Sequence, residues 1–372
     1  MRITIERASL LKALNHVQSV VERRNTIPIL SNVLLNADKG ALHLTATDLD
    51  IEVVESVSAD VVRGGATTAS AHTLYDIVRK LPDGAQVQLE FGEGDGRLTL
   101  SAGRSRFQLQ ALPREDFPTM ASGTLPHKFS LGSKDLAELI DKTRFAVSTE
   151  ETRYYLNGIY LHAQQEKSKT FLRAVATDGH RLARYETQAP KGAMEIPGII
   201  VPRKTVNEVR KLLEDIDDSV TVSVSETKIK FNLGSVTLTS KLIDGTFPEY
   251  QRVIPTGNDK VLEVVRDEFK EAIDRVSTVS TEKSRAVKLN LEKGKLTLSV
   301  VSPEAGTATE ELLIDYKAAA IEIGFNARYI MDILERIDGA KAVFLFSDAG
   351  SPTLVREAEG DAALYVLMPM RV

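Results

Sequence analysis

The run TDGHRLAR at residues 177–184 sets an aspartate, a glycine, a histidine and two arginines side by side. Asp178 and His180 are the right types for a base with its orienting carboxylate, or for two ligands of a metal ion. Nothing else in the chain completes either arrangement. The other histidines (His16, His43, His72, His127 and His162) are scattered, with no His-x-x-x-His or similar spacing. No Gly-x-Ser-x-Gly elbow presents a nucleophile, and there is no Walker motif. GEGDG at 92–96 lacks the strand–turn–helix setting of a nucleotide loop. Asp48, Asp50 and Glu52 alternate, so a strand would put all three on one face, an arrangement that suits magnesium but is more often simply solvated. With no cysteine there is no disulfide and no thiolate chemistry. The expectation is a protein with no catalytic residue, no metal and no cofactor.

Stepping outward from that run, the chain repeats itself. RITIE (2–6) leads into a helix with Leu10, Leu11, Leu14, Val17 and Val21 at helical spacing. The same pair returns as KFSLG (128–132) with SKDLAELIDKTRFAV, and again as VLEVV (261–265) with RDEFKEAIDRVSTV. The offsets are roughly 126 and roughly 133 residues. Three strand-like runs follow each helix, then a second helix (70–81, 202–216, 326–337), then two or three more strands closed by glycine turns. The unit is strand–helix–three strands–helix–three strands, used three times, with boundaries at 1–125, 126–257 and 258–372. ALHLTATDLDIEVVE in the first copy aligns with FLRAVATDGHRLARYE in the second, sharing ATD. Asp178 and Gly179 are then ordinary turn residues, and only His180 and Arg181 need a further reason.

Length and composition fit a folded protein of two or three domains: 372 residues, 42% hydrophobic and 27% charged. A net charge of −5 argues against gripping nucleic acid by bulk basicity. The start, MRITIERASLL, is not a signal peptide and no run approaches a membrane span, so a cytoplasmic protein without membrane attachment is expected. Apolar groups nevertheless fall where they are hard to hide. Tyr154 and Tyr155 are adjacent at the head of an expected strand, whose alternation cannot bury both. The end, YVLMPMRV, carries Met368, Pro369 and Met370, either as a strand tucked into the core or as an adaptable apolar groove.

The triple repeat, RYYLNG (153–158), ATDGHRLA (176–183), VPRK (201–204), SKLIDGTFPEY (240–250), GFN-RY (324–329) and the terminal MPMRV together resemble the bacterial DNA polymerase III beta subunit, the sliding clamps. That resemblance implies an α+β chain of three clamp-fold domains, each with two helices and two antiparallel sheets. Two chains would close head to tail as a six-domain ring around double-stranded DNA, held without regard to sequence. A replicative DNA polymerase and repair and translesion polymerases would bind through short linear peptides, and a clamp-loader ATPase would open the ring. By the same resemblance Arg153, Tyr155, Leu156, Thr177, Gly179, His180, Arg181 and Leu182 line the peptide pocket. Pro248, Arg252, Val253, Asn326 and Tyr329 continue it, and Val366, Leu367, Met368, Pro369, Met370, Arg371 and Val372 complete it. His180 becomes a wall of a binding site. Arg23, Arg24, Arg79, Lys80, Arg203, Lys204 and Arg210 are assigned to DNA, and Phe107, Leu109, Thr278 and Val279 to the dimer contact. His72 stands where some relatives are basic and is not included.

Geometry is compatible with such a ring. Six helices about 10 Å apart close a circle roughly 19 Å across, too tight for a duplex about 20 Å wide once helix thickness is removed. Twelve leave about 28 Å clear, so two chains are needed. The helix-forming stretches carry a small positive excess and the rest of the chain the negative balance. Two rival readings remain: a protein-binding scaffold that does not encircle DNA, and a hydrolase using Asp178 and His180.

Overall fold

The computed structural model describes residues 1–92, 94, 96–121, 123–280 and 285–371. The first copy runs β1 (Arg2–Glu6), α1 (Arg7–Gln18), β2 (Asn32–Asp38), β3 (Ala41–Thr47), β4 (Ile51–Ser58), β5 (Asp60–Arg63), β6 (Gly65–Ser70), α2 (Ala71–Lys80), β7 (Gln86–Phe91), β8 (Arg97–Ala102) and β9 (Ser105–Gln110). The second runs β10 (His127–Gly132), α3 (Ser133–Asp141), β11 (Gly158–Glu166), β12 (Lys169–Thr177), β13 (Arg181–Gln188), β14 (Ile199–Pro202), α4 (Arg203–Leu212), β15 (Ser219–Val224), β16 (Lys228–Leu233) and β17 (Val236–Lys241). The third runs β18 (Lys260–Val265), α5 (Arg266–Ser277), β19 (Ala286–Glu292), β20 (Lys295–Ser302), β21 (Gly306–Leu313), β22 (Ile321–Asn326), α6 (Ala327–Leu334), β23 (Lys341–Phe346), β24 (Thr353–Glu357) and β25 (Ala363–Leu367).

The repeat is therefore richer than the sequence pattern predicts. A further strand enters directly before each second helix: β6, β14 and β22. β6 and β14 have no apolar alternation to betray them, whereas β22, IEIGFN, does alternate, with Ile321, Ile323 and Phe325 buried and Glu322 exposed. β6 is GATTAS, small residues largely buried, and β14 is only four residues long. Tyr154 and Tyr155 lie on a 3-10 turn spanning Glu151–Leu156 rather than leading a strand. Asp48 and Asp50 fall in the turn between β3 and β4, so no strand face gathers three carboxylates.

All four sheets are antiparallel, and two of them are built from two copies each. β17, the last strand of the second copy, pairs with β4, the third strand after the first helix in the first copy, from Val236↔Glu55 to Ser240↔Ile51. β25 of the third copy pairs in the same way with β13 of the second, from Arg181↔Leu367 to Tyr185↔Ala363. By that rule β9 would pair with β21. In this chain both are sheet edges, bonded on one side only. The chain falls into two compact units, and each contains one of the two joins. In the first unit α1 packs on α2 and on β3 and β4 through Leu10, Leu14 and Val17. In the second α5 packs on α6, and Phe269 meets Phe344 edge-on at 5.5 Å. Each such fully buried side chain contributes about 1.5–3 kcal/mol.

One join carries a titratable group. His16, on the last turn of α1, bonds Glu55 of β4 through Nδ1 at 2.9 Å and Asp215, beyond α4, through Nε2 at 3.0 Å. Burial opposes its charge, but the two carboxylates outweigh burial and raise its pKa above the ordinary 6.5. The raised value fixes the sign. The stabilisation is complete below 6.5 and is lost as pH rises through the folded pKa. Thermal unfolding should show the wild-type midpoint falling over that range, and His16→Gln should remove this component of the fall. An unchanged pH profile in the variant would show that His16 does not hold the join.

Candidate functional site

The turn at 177–181 is built twice. Asp178 Oδ1 accepts from the backbone N–H of His180 (2.9 Å) and of Arg181 (3.0 Å), while Thr177 Oγ1 accepts from Gly179 N–H (3.1 Å). In the first copy Asp48 Oδ1 accepts from Asp50 and Ile51 N–H, and Thr47 Oγ1 from Leu49 N–H. Gly179 has φ +89°, and its counterpart Leu49 adopts φ +79°. An aspartate doing the same work where no histidine follows is a turn cap rather than a catalytic partner. Among the described residues no group of three or more His, Asp or Glu could hold a metal.

The second oxygen of each aspartate anchors a cation. Asp178 Oδ2 accepts from Arg181 Nε at 3.1 Å, and the same guanidinium pairs with Asp332 of α6 and donates to the Phe145 carbonyl at 2.7 Å. It also lies 4.3 Å from the centre of the Tyr329 ring and 5.1 Å from that of Phe145. Arg181, which the resemblance places in the pocket lining, is thus also a pillar of the site, with its charge engaged within the chain. Asp48 likewise pairs with Lys204, which also donates to the Val20 carbonyl at 3.2 Å. Lys204, assigned to DNA by resemblance, is therefore also tied within the chain.

Above this pillar the surface is aromatic and apolar. The His180 ring is exposed and stacks over Tyr329 at 6.4 Å, with burial pushing the Tyr329 phenol above its ordinary value. Asn326 caps α6 by accepting from Arg328 N–H. The floor is a cluster of Leu156, Val175, Leu182, Ile200, Phe247, Tyr250 and Val366, with Tyr155 packed against it. Phe247 stacks on Tyr160 at 4.8 Å, and Tyr250 bonds the buried His162. Burial lowers the His162 pKa. Pro248 is exposed, Val253 is 50% exposed, and Arg252 pairs with Glu249. Arg153, paired with Glu150, lies against Gly179 so closely that a Cβ there would sit 2.6 Å from its Nη1.

The tail divides. Val366 and Leu367 are core residues of β25. Beyond them Met368 donates its N–H to the His180 carbonyl at 2.9 Å and Met370 to the Gly324 carbonyl at 2.8 Å. Met368 is 38% exposed, Pro369 and Met370 are partly exposed and Arg371 is exposed; Val372 lies outside the described residues. The structure thus gathers Arg153, Tyr155, Leu156, Thr177, Gly179 to Leu182, Pro248, Val253, Tyr329 and the tail within one compact unit. The sequence reading missed Phe247, Tyr250, Ile200 and Asp332, which support the visible residues. Phe247 and Tyr250 lie in the stretch GTFPEY, beside the Pro248 that the resemblance assigns to the pocket.

The other assigned residues are dispersed. Arg23, Arg24, Arg79, Lys80 and Arg203 are exposed, and Arg210 stands 3.7 Å from Glu214. Phe107 and Leu109 share one partly exposed face of the edge strand β9. Thr278 follows α5 and is exposed, with Val279 partly buried.

Family models of the DNA polymerase III beta subunit match the chain as N-terminal domain over residues 1–121, central domain over 130–249 and C-terminal domain over 251–371. The beta sliding clamp of Caulobacter vibrioides is 56% identical over 372 residues, covering 100% of both chains. That of Escherichia coli is 38% identical over 374 residues, again over 100% of both. A crystal structure of the Caulobacter crescentus clamp with polyethylene glycol bound to its putative beta-motif tethering region superposes with a TM-score of 0.98 at 56% identity, over 100% of this chain and 99% of that one. The Bartonella birtlesii clamp bound to griselimycin gives 0.97 at 51% identity, over 100% of both.

The turn and the surface group beside it should separate on substitution. Asp178→Ala leaves two backbone N–H groups and one guanidinium N–H without their acceptor and should cost about 1–3 kcal/mol in denaturant unfolding. His180→Ala, at an exposed ring, should stay within about 0.5 kcal/mol of wild type. Equal losses would mean that His180 is part of the scaffold.

Proposed function

This chain belongs to the DNA polymerase III beta subunit family, and from that premise we propose how it carries out the work of a processivity clamp. Two copies close head to tail around duplex DNA. The apolar surface between the 177–181 turn, the Glu151–Leu156 turn and the C-terminal tail takes the short peptides by which polymerases and repair factors are tethered. The observation that carries this reading is that surface itself: exposed His180, Val253 and Met368 over a buried apolar floor, with the Arg181 guanidinium beneath it paired to Asp178 and Asp332. Such a site binds and does no chemistry. The two relatives solved with molecules bound, polyethylene glycol in one and griselimycin in the other, support it. The protein acts without a catalytic centre, in the cytoplasm, on domains bounded near residues 125 and 257.

Closure follows the strand-pairing rule inside the chain. β9 and β21 are the two edges that the rule leaves unmatched, and open edges are templates for pairing. Phe107 and Leu109 supply the apolar face of β9, and exposed Arg104 and Arg106 meet the acidic Glu310 and Glu311 of β21. Thr278 and Val279 lie at the end of α5, which packs on β21. DNA is held by Arg23, Arg24, Arg79, Lys80, Arg203, Lys204 and Arg210 through phosphates, loosely enough to slide.

Replacing both Phe107 and Leu109 with alanine removes roughly 1.5–3 kcal/mol per side chain at each closure. The variant should sediment as a folded monomer, and an undiminished dimer would show that closure lies elsewhere. Deleting Met368–Val372, or changing Tyr155 and His180 to alanine, should weaken a short peptide with leucine and phenylalanine anchors by at least about tenfold in calorimetry. The dimer should be untouched. Wild-type affinity in the tail deletion would make the tail a core strand only.

A further inference from the structure

The joins between copies are ionic as well as hydrogen-bonded, and the ionic part is repeated with the fold. The tenth residue from the start of the first helix is His16 in the first copy, Lys142 in the second and Arg275 in the third. All three are cations or can become one. His16 reaches Glu55 on the third strand of its own copy and Asp215, just beyond the second helix of the next copy. Lys142 reaches Asp338 at 2.6 Å, just beyond the second helix of the third copy, with the Arg336 carbonyl and Glu357 as its other acceptors.

Arg275 shows only half of this pattern. It forms a bidentate pair with Glu310 of β21, at 2.7 and 3.1 Å, where His16 makes a single bond to Glu55 of β4. Glu271 on its own helix stands 3.5 Å away. The copy that would supply the acid beyond a second helix does not follow in this chain. In a head-to-tail dimer it is the first copy of the other chain. There the matching residue is Asp83, the thirteenth from the start of α2 as Asp215 is from the start of α4. Asp83 is 95% exposed, and Arg7 is its one ion-pair partner among the described residues.

We propose that Arg275 pairs with Asp83 of the partner subunit at each closure of the ring, as the third and intermolecular instance of the repeated ionic join. This rests on the head-to-tail reading above and specifies a contact within it. A guanidinium suits the place: two of its nitrogens are engaged by Glu310, Nη1 retains donors, and its charge does not titrate in the accessible pH range. The closure between chains thus keeps its charge at pH values where the His16 join within the chain loses its own.

The contact can be tested by complementation between full-length chains in sedimentation across a dilution series. Arg275→Glu and Asp83→Arg should each weaken the homodimer by at least about tenfold, since each sets like charges opposite one another at both closures. Mixed in equal amounts, the two variants should form heterodimer at concentrations where each alone is largely monomeric, because one closure is then wild type and the other is charge-swapped. Arg275→Gln should weaken the dimer in the same direction and flatten its salt dependence. Both residues are exposed, and melting curves check that the variants fold. Wild-type dimer affinity in Arg275→Glu, or no heterodimer excess in the mixture, overturns the pairing alone. A wild-type chain that stays monomeric throughout overturns the ring reading and the pairing with it.

Discussion

An antiparallel sheet leaves a row of unpaired N–H and C=O groups along each outer strand, and the joins of this fold are arranged around that row. All three copies give up an edge in the two joins, β17 pairing with β4 and β25 with β13. The pairing makes continuous eight-stranded sheets out of strands that come from different copies. It also explains why the compact units of the chain do not coincide with the repeats, since each join binds half of the second copy to a different neighbour. β9 and β21 are what the rule leaves over, and in the ring we propose a second chain satisfies both at once.

The surface we propose for peptides depends on the same join. β13 carries the end of the 177–181 turn and β25 carries the C-terminal tail, and these are the strands that pair. The main-chain bond from Met368 to His180 continues the ladder by one step past β25. Arg181 then fixes the turn against α6 through Asp332. The turn, the tail and Tyr329 hold their places because second-copy and third-copy strands share one sheet. A binding surface assembled across a sheet join can be rigid while its exposed groups, His180 and the methionines, remain free to repack against different peptides.

Much of this was legible in the sequence, for physical reasons that also mark where legibility stopped. The first helices show apolar residues at helical spacing because one face is buried, and the hairpins show alternation because one side faces solvent. β6 and β14 carry neither signal: β6 is built of small residues and β14 is four residues long and mostly buried. β22, IEIGFN, does alternate and is legible in the sequence. The shared ATD was visible as a repeat, and that alone separated a turn aspartate from a catalytic one. The ties that Arg181 and Lys204 make within the chain are not visible in the sequence, because spacing cannot tell a cation aimed at a ligand from one aimed at a carboxylate distant in the chain. The motif residues exposed at the site were identified through family resemblance. Phe247 and Ile200 beneath them are hydrophobic core by type, and only packing reveals what they support.

The central claim is that the protein holds DNA by enclosing it. The direct measurement is retention after loading onto a nicked circular duplex, washed in high salt and then cut once. Charge contacts alone weaken steeply with salt on any DNA, whereas a closed ring is indifferent to salt and sensitive to ends. The predicted result is retention through the wash and release on linearisation. Equal loss from circular and linear DNA in the wash, or retention after the cut, would contradict enclosure.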